Sequence, residues 1–272
     1  MATAARFGAL ALMLVTNALT AQAQPAREPV AVFAAGSLRA ALTDLARAFE
    51  RGAPATVVLT FGASGLLKDR IEAGEPAQVF ASANMSHPEA LRAAGRAEAV
   101  QPFARNALCA LAHPAFTLQG RTLAQRLLDA DVRVGTSTPR ADPSGDYAFQ
   151  MFERIEATGA GPAGSAATLK AKALQLTGGP QSPAPPAGRS VYGMLVAERQ
   201  ADVFVTYCTN ATQARQEVPS LQVLAVPEAI NVAATYGIAT LRGAPPVARA
   251  FVEFVLGPDG QSILRGHGFS AP

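Results

Sequence analysis

Histidine is scarce in this chain: His87, His113 and His267 are the three copies among 272 residues. His87 and His113 each precede a proline, a loop context, and none of the three sits beside a partner at a catalytic spacing. A Gly-x-Ser-x-Gly elbow is also missing. The nearest approach, Gly62-Ala63-Ser64-Gly65-Leu66, lacks the last glycine. There is no Gly-x-x-x-x-Gly-Lys loop and no cluster with metal-ligand spacing. Catalysis is therefore the lesser reading, its one concrete form being a serine-type hydrolase built on Ser64, and the chain is read as a non-enzyme without a cofactor.

An excess of one charge is lacking too. Lys and Arg number 23 against 20 Asp and Glu, and the basic residues are scattered. That distribution offers no stripe for a nucleic-acid backbone. Beyond the first residues no apolar run approaches the ~20 residues of a membrane span. The first residues have a different character. Arg6 is the single charge before the apolar run Phe7–Leu19, and Ala21-Gln22-Ala23 has the small-x-small form of an export cleavage site. A signal segment 1–23, cut after Ala23, and a periplasmic mature chain are expected. Cysteine occurs twice, at Cys109 and Cys208. In an oxidising compartment the pair can form one disulfide, or the two can be buried as separate thiols; both readings stay open.

What is present is a repeated strand–turn–helix pattern. Val30-Ala31-Val32-Phe33-Ala34 is apolar throughout, as in a strand covered on both faces. Gly36-Ser37 ends it, and Leu38, Leu42, Leu45 and Phe49 then share one helical face. Thr56–Phe61, a turn at Gly62–Gly65 and helical spacing over Leu66–Ala73 follow. Val79-Phe80-Ala81 is a third strand, with a short helix to Ala94. A second block begins at Asn106 with the apolar Leu108–Ala112. It continues with a strand at Arg133-Val134-Gly135, a helix carrying Tyr147, Phe149 or Met151, and Ile155, then helical spacing over Ala166–Gln175. Gly178–Gly188 holds four prolines and reads as an irregular surface loop. Val203–Thr206 is again strand, and helices at Pro246–Leu256 and Asp259–Arg265 close the chain. The pattern predicts an α/β protein of two lobes facing a cleft: 24–105 plus 212–272 as lobe 1, and 106–211 as lobe 2.

Four expected helices start alike, with a hydroxyl residue in a short turn: Gly36-Ser37-Leu38, Ala63-Ser64-Gly65, Pro143-Ser144-Gly145 and Arg189-Ser190-Val191. Each serine taken alone is an ordinary helix cap. Taken together, unpaired N–H groups at several helix starts aimed at one point would hold an anion without a formal counter-charge.

Those residues carry a resemblance. Val32-Phe33-Ala34-Ala35-Gly36-Ser37-Leu38, Ile71-Glu72-Ala73-Gly74-Glu75-Pro76-Ala77, Val79-Phe80-Ala81-Ser82-Ala83, Val205-Thr206-Tyr207 and His267-Gly268-Phe269 are similar, in order and separation, to segments of periplasmic molybdate-binding proteins of ABC importers. The resemblance implies a type II periplasmic binding protein fold that closes over molybdate or tungstate, held through its oxygens by neutral donors. It places ligand contacts at the hydroxyls of Ser37 and Ser64, at Ser144, at the backbone of Val191 and at the Tyr207 hydroxyl. A permease with its ATPase is the implied partner, and the receptor itself is expected to be a monomer. The sequence departs from that pattern at Gln78 and Asn84, where relatives usually have aspartate, at Cys208-Thr209-Asn210, and in the longer proline-rich loop. Arg140, Asp142 and Arg189 also stand near the expected contacts. The same fold serving sulfate, phosphate or a small organic acid is the alternative.

Overall fold

The computed structural model describes residues 28–183 and 189–272. The expected export segment 1–23 lies outside the described residues, as do 184–188 of the proline-rich loop. Ten strands make two five-stranded sheets. The first contains β1 (Glu28–Ala35), β2 (Ala55–Gly62), β3 (Val79–Ser82), β4 (Ala97–Asn106) and β10 (Ala234–Leu241), in the order β2-β1-β3-β10-β4. The second contains β5 (Leu108–Ala112), β6 (Val134–Ser137), β7 (Leu174–Thr177), β8 (Val203–Tyr207) and β9 (Gln222–Ala225), in the order β7-β6-β8-β5-β9. Both sheets follow one plan: three parallel strands, a fourth antiparallel to them, and an edge strand antiparallel to the fourth. The fold is the two-lobed α/β type expected.

Strand β1 is central in its sheet. Val30, Val32, Phe33 and Ala34 are all buried, which explains a run apolar at every position rather than at alternate ones. Helix α1 (Arg39–Gly52) covers the sheet with Ala41, Leu42, Leu45, Ala46 and Phe49. The Phe49 ring meets Phe251 edge-on at 5.3 Å, docking α9 (Pro246–Leu256) against α1. Beyond it, α10 (Pro258–Gly266) leads to His267, whose ring nitrogen is 2.9 Å from Asp44 of α1. Helices α2 (Ser64–Glu72) and α3 (Ser86–Ala93) complete this lobe.

The second sheet carries α4 (Leu123–Leu128), α5 (Pro143–Ala157), α6 (Ser165–Lys172), α7 (Val191–Ala197) and α8 (Cys208–Glu217). In α5 the buried face is Ala148, Met151, Phe152 and Ile155, so Met151 is the core residue and Phe149 lies at its margin. The helix expected over 166–175 stops at Lys172, and Leu174–Thr177 pairs with β6 instead. Cys109 of β5 and Cys208 at the start of α8 are joined in a disulfide, so of the two open readings the cross-link holds.

The chain passes between lobes twice, from β4 into β5 through Ala107, and back from β9 to β10 through 226–233. Asn231 stitches these crossings together: its carbonyl accepts from the Leu108 N–H, and its amide donates to the Leu108 and Val226 carbonyls. The expected junction at 211/212 is corrected by this path. It falls inside α8, whose Ala211 and Ala214 pack under the second sheet, and β9 beyond it still pairs with β5. The return to the first sheet comes after Ala225.

Candidate functional site

Parallel strands of one direction deliver their carboxyl ends, and the loops after them, to one edge of a sheet. Here the two sheets turn those edges toward each other. From the first lobe come the turn Gly36–Leu38 after β1, the start of α2 after β2, and Ala83-Asn84 after β3. From the second come the 138–142 loop and start of α5 after β6, the start of α7 after the β7 loop, and Tyr207 at the end of β8. The lobes touch along this seam. The Gly65 N–H donates to the Ala141 carbonyl at 2.9 Å, and the Tyr207 hydroxyl donates to the Ala83 carbonyl at 3.4 Å.

The five residues expected to bind ligand occupy this seam as follows. Ser37 lies in the turn after β1, with its hydroxyl 3.0 Å from that of Tyr236. Ser64 opens α2 and is buried; its hydroxyl accepts from the Ala83 N–H at 3.1 Å. Ser64 and Tyr207 thus approach the two backbone groups of one residue from opposite lobes. Ser144 is the second residue of α5 and fully buried, and its N–H donates to the Asp142 carboxylate at 3.0 Å. Val191 is the first residue of α7, half-buried behind the Ser190 cap. Tyr207 is buried, its ring 5.5 Å from Tyr236 and 6.3 Å from Tyr147.

The plain capping role holds for one of the four serines. Ser190 accepts from the Gly193 N–H at 3.2 Å and caps α7. Ser37 and Ser64 cap nothing with their side chains, and α5 is capped by Asp142 rather than Ser144. Two hydroxyls are therefore turned to other partners along the seam. The arginines named from sequence do not face it with their charges: Arg189 pairs with Glu217, and Arg140 is exposed with its N–H donating to Asp146.

Several groups escaped the sequence reading. Tyr236 on β10 and Asn106 at the end of β4 line the hinge side; the Asn106 amide donates to the Tyr236 hydroxyl at 3.4 Å and to Thr209 at 2.8 Å. No local spacing signals either one. Tyr192 on α7 is partly buried, its ring 5.3 Å from Phe204. Asp142, named from sequence only for its nearness to the expected contacts, is half-buried. An N-cap aspartate before Pro143 is a local signal, but its burial comes from the β7 loop folding over it. Gly178 (φ +77°) makes room there, since a Cβ at that position would lie 2.5 Å from the Asp142 carboxylate.

Burial sets the protonation of the site. It raises Tyr207, Tyr236 and Tyr192 well above the ordinary phenol value, and each feels the charge of Asp142. All three phenols stay neutral donors at any physiological pH. The Asp142 carboxyl is pushed up to about 6 by burial, against the pull of the Ser144 N–H and the neighbouring Ser137 hydroxyl. The hydroxyls of Thr136, Ser137 and Ser144 are buried yet make no well-formed hydrogen bond to any described residue. Among the described residues no group of three or more His, Cys, Asp or Glu could hold a metal ion, and no helix is long and apolar enough to cross a membrane. What the seam offers is a set of hydroxyls and amides from both lobes beside the half-buried carboxyl of Asp142.

Two α/β lobes whose strand edges face one another leave between them the place where open α/β sheets take a ligand. The chain belongs to the bacterial extracellular solute-binding proteins, whose profile matches residues 30–270. It is 36% identical to an uncharacterized protein of Pasteurella multocida over 88% of this chain and 97% of that one. It is 27% identical to the molybdate-binding protein ModA of Escherichia coli, over 96% and 95% of the two chains. Among solved structures, the periplasmic molybdate-binding protein of Azotobacter vinelandii superposes with a TM-score of 0.69 at 20% identity, covering 89% of this chain and 99% of that one. The sulfate-binding protein SubI of Mycobacterium tuberculosis superposes with a TM-score of 0.73 at 17% identity, covering 90% and 87%. The resemblance read from the sequence holds: this is a substrate-binding protein of the molybdate-binding type.

Proposed function

We propose that the protein is the periplasmic receptor of an ABC importer that captures a tetrahedral oxyanion, molybdate or tungstate first, between its two lobes and presents it to a permease. The observation that carries this reading is the convergence of Ser37, Ser64 and Tyr207 with the starts of α5 and α7 on one seam, each lobe contributing part of the set. A tetrahedral dianion presents only acceptors. Each hydrogen bond to it contributes ~1.5–3 kcal/mol, so several donors exceed the costs of association. Because neither lobe holds enough donors alone, the anion favours the closed arrangement and so signals loading to the permease. A monomer suffices for this task. The family relationship to ModA supports the choice of anion.

The test is a melting-curve screen of the exported protein with molybdate, tungstate, sulfate, phosphate and small carboxylates. Saturation at ~100 times the dissociation constant stabilises the folded state by ~2.7 kcal/mol. A shift with molybdate and tungstate is the expected result. A shift confined to phosphate, sulfate or carboxylates would replace the anion, and turnover of a chromogenic ester lost in Ser64→Ala would replace the class. A phosphate-type anion is the second reading, favoured by one observation, the half-buried carboxyl of Asp142 at the start of α5.

A further inference from the structure

We propose that Asp142 is the specificity-determining residue of this cleft, binding one proton together with each captured oxyanion, so that the affinity for bare dianions such as molybdate falls with rising pH while that for hydrogen phosphate, which brings its own proton, does not. The proposal rests on the reading of the seam as an oxyanion site. Its geometric basis is the position of the carboxyl. Asp142 caps α5 through the Ser144 N–H, and so stands over the helix start that would otherwise face the anion.

Among the described residues no cation is paired with this carboxylate. The groups around it are Asp146 on its own helix, Tyr192 on α7, Tyr207 on β8 and Tyr236 on β10, with Ser137 of β6 and Gly178 of the β7 loop in contact. One is acidic and the others are neutral. An unpaired carboxylate in such a place is costly and protonates in preference to staying charged. A dianion arriving beside it adds like-charge repulsion, which raises its proton affinity further. Ser137, whose hydroxyl faces the same carboxyl, and Ser144, buried with no well-formed hydrogen bond from its hydroxyl to any described residue, supply further donors.

The proton balance differs between ligands. Molybdate or sulfate carries none at neutral pH, so Asp142 takes one from solvent and its O–H donates to an anion oxygen. Hydrogen phosphate brings its own, which it donates to the Asp142 carboxylate with no net uptake. The free carboxyl titrates at about 6. Molybdate affinity is therefore fully expressed below that pH and weakens about tenfold per pH unit above it, until the pKa in the complex is reached.

Calorimetric titration of the exported protein with sodium molybdate and sodium phosphate, at about pH 8 in two buffers of different ionisation enthalpy, measures the uptake directly. We expect about one proton taken up per molybdate and none per phosphate. Asp142→Asn should abolish the uptake and flatten the pH profile, with molybdate bound about tenfold or more tighter than by the wild type at pH 8. Asp146→Asn should keep the uptake. Molybdate binding by the wild type without proton uptake overturns the proposal whether or not the variant folds, and so does an unchanged pH profile in Asp142→Asn. If no oxyanion binds at any pH, the oxyanion reading itself fails and takes this proposal with it.

Discussion

Ser64 shows how one hydroxyl can hold structure and, on the proposed reading, also donate to a ligand. Its oxygen already accepts from the Ala83 N–H, which leaves its own hydrogen free to donate across the seam. Ser64→Ala removes that donor and strands a buried N–H, so both affinity and stability should fall. Melting without ligand should drop by about 1–3 kcal/mol and binding by roughly ten- to a hundredfold. Ser37→Ala gives the contrast. Its partner Tyr236 retains Asn106, so the loss should appear in affinity with little change in unliganded stability. Titration calorimetry beside a melting curve separates the two cases. Asp142 adds a sign of its own. A carboxyl whose folded-state value is raised makes the unliganded protein less stable as pH rises from the unfolded value to about 6, and constant above. Asp142→Asn should therefore raise the melting temperature of the empty protein at about pH 8, by an amount on the order of 2 kcal/mol.

At the scale of elements, the seam is closed by backbone approaching backbone. A Cβ on Gly65 would lie 2.4 Å from the Arg140 carbonyl and 2.7 Å from that of Ala141, both in the opposite lobe. Gly65→Ala should leave each lobe folded and hold the two apart. Unliganded stability should stay within about 1 kcal/mol of wild type while anion affinity falls more than tenfold. Small-angle scattering would show the compaction on adding anion in wild type and its loss in the variant. The elements around this seam were legible in sequence where the pattern was local. Val30–Ala34, Val79–Ala81 and Val203–Thr206 are apolar at every position because their strands are covered on both faces, and helix α1 carries an unbroken apolar stripe. Strands β4, β9 and β10 gave no such signal. Half of β4 is solvent-facing, β9 is half-exposed at a sheet edge, and β10 mixes Thr, Tyr and Gly. Their pairing is fixed by distant partners, which spacing does not record. The same reason hid Tyr236 and Asn106. Ser37 and Ser64 sit in turns that a strand-to-helix pattern marks, whereas Tyr207 rests on the family resemblance alone.

Over the whole molecule, the disulfide between Cys109 and Cys208 closes a loop of 99 residues that contains most of the second lobe. Its loss should cost about 2–4 kcal/mol, read as a lower melting temperature for Cys109→Ala/Cys208→Ala or for the reduced protein. The chain order gives that lobe a further property. Residues 107–225 leave the first lobe and return to it at neighbouring points, which Asn231 holds side by side through Leu108 and Val226. Both ends of the described chain, by contrast, belong to the first lobe. The second lobe is thus a cassette with adjoining ends. It can be exchanged between relatives in one cut, carrying the Asp142 carboxyl and Tyr207 with it while Ser37 and Ser64 stay behind. A chimera of that kind would reassign half of the proposed anion shell in a single step.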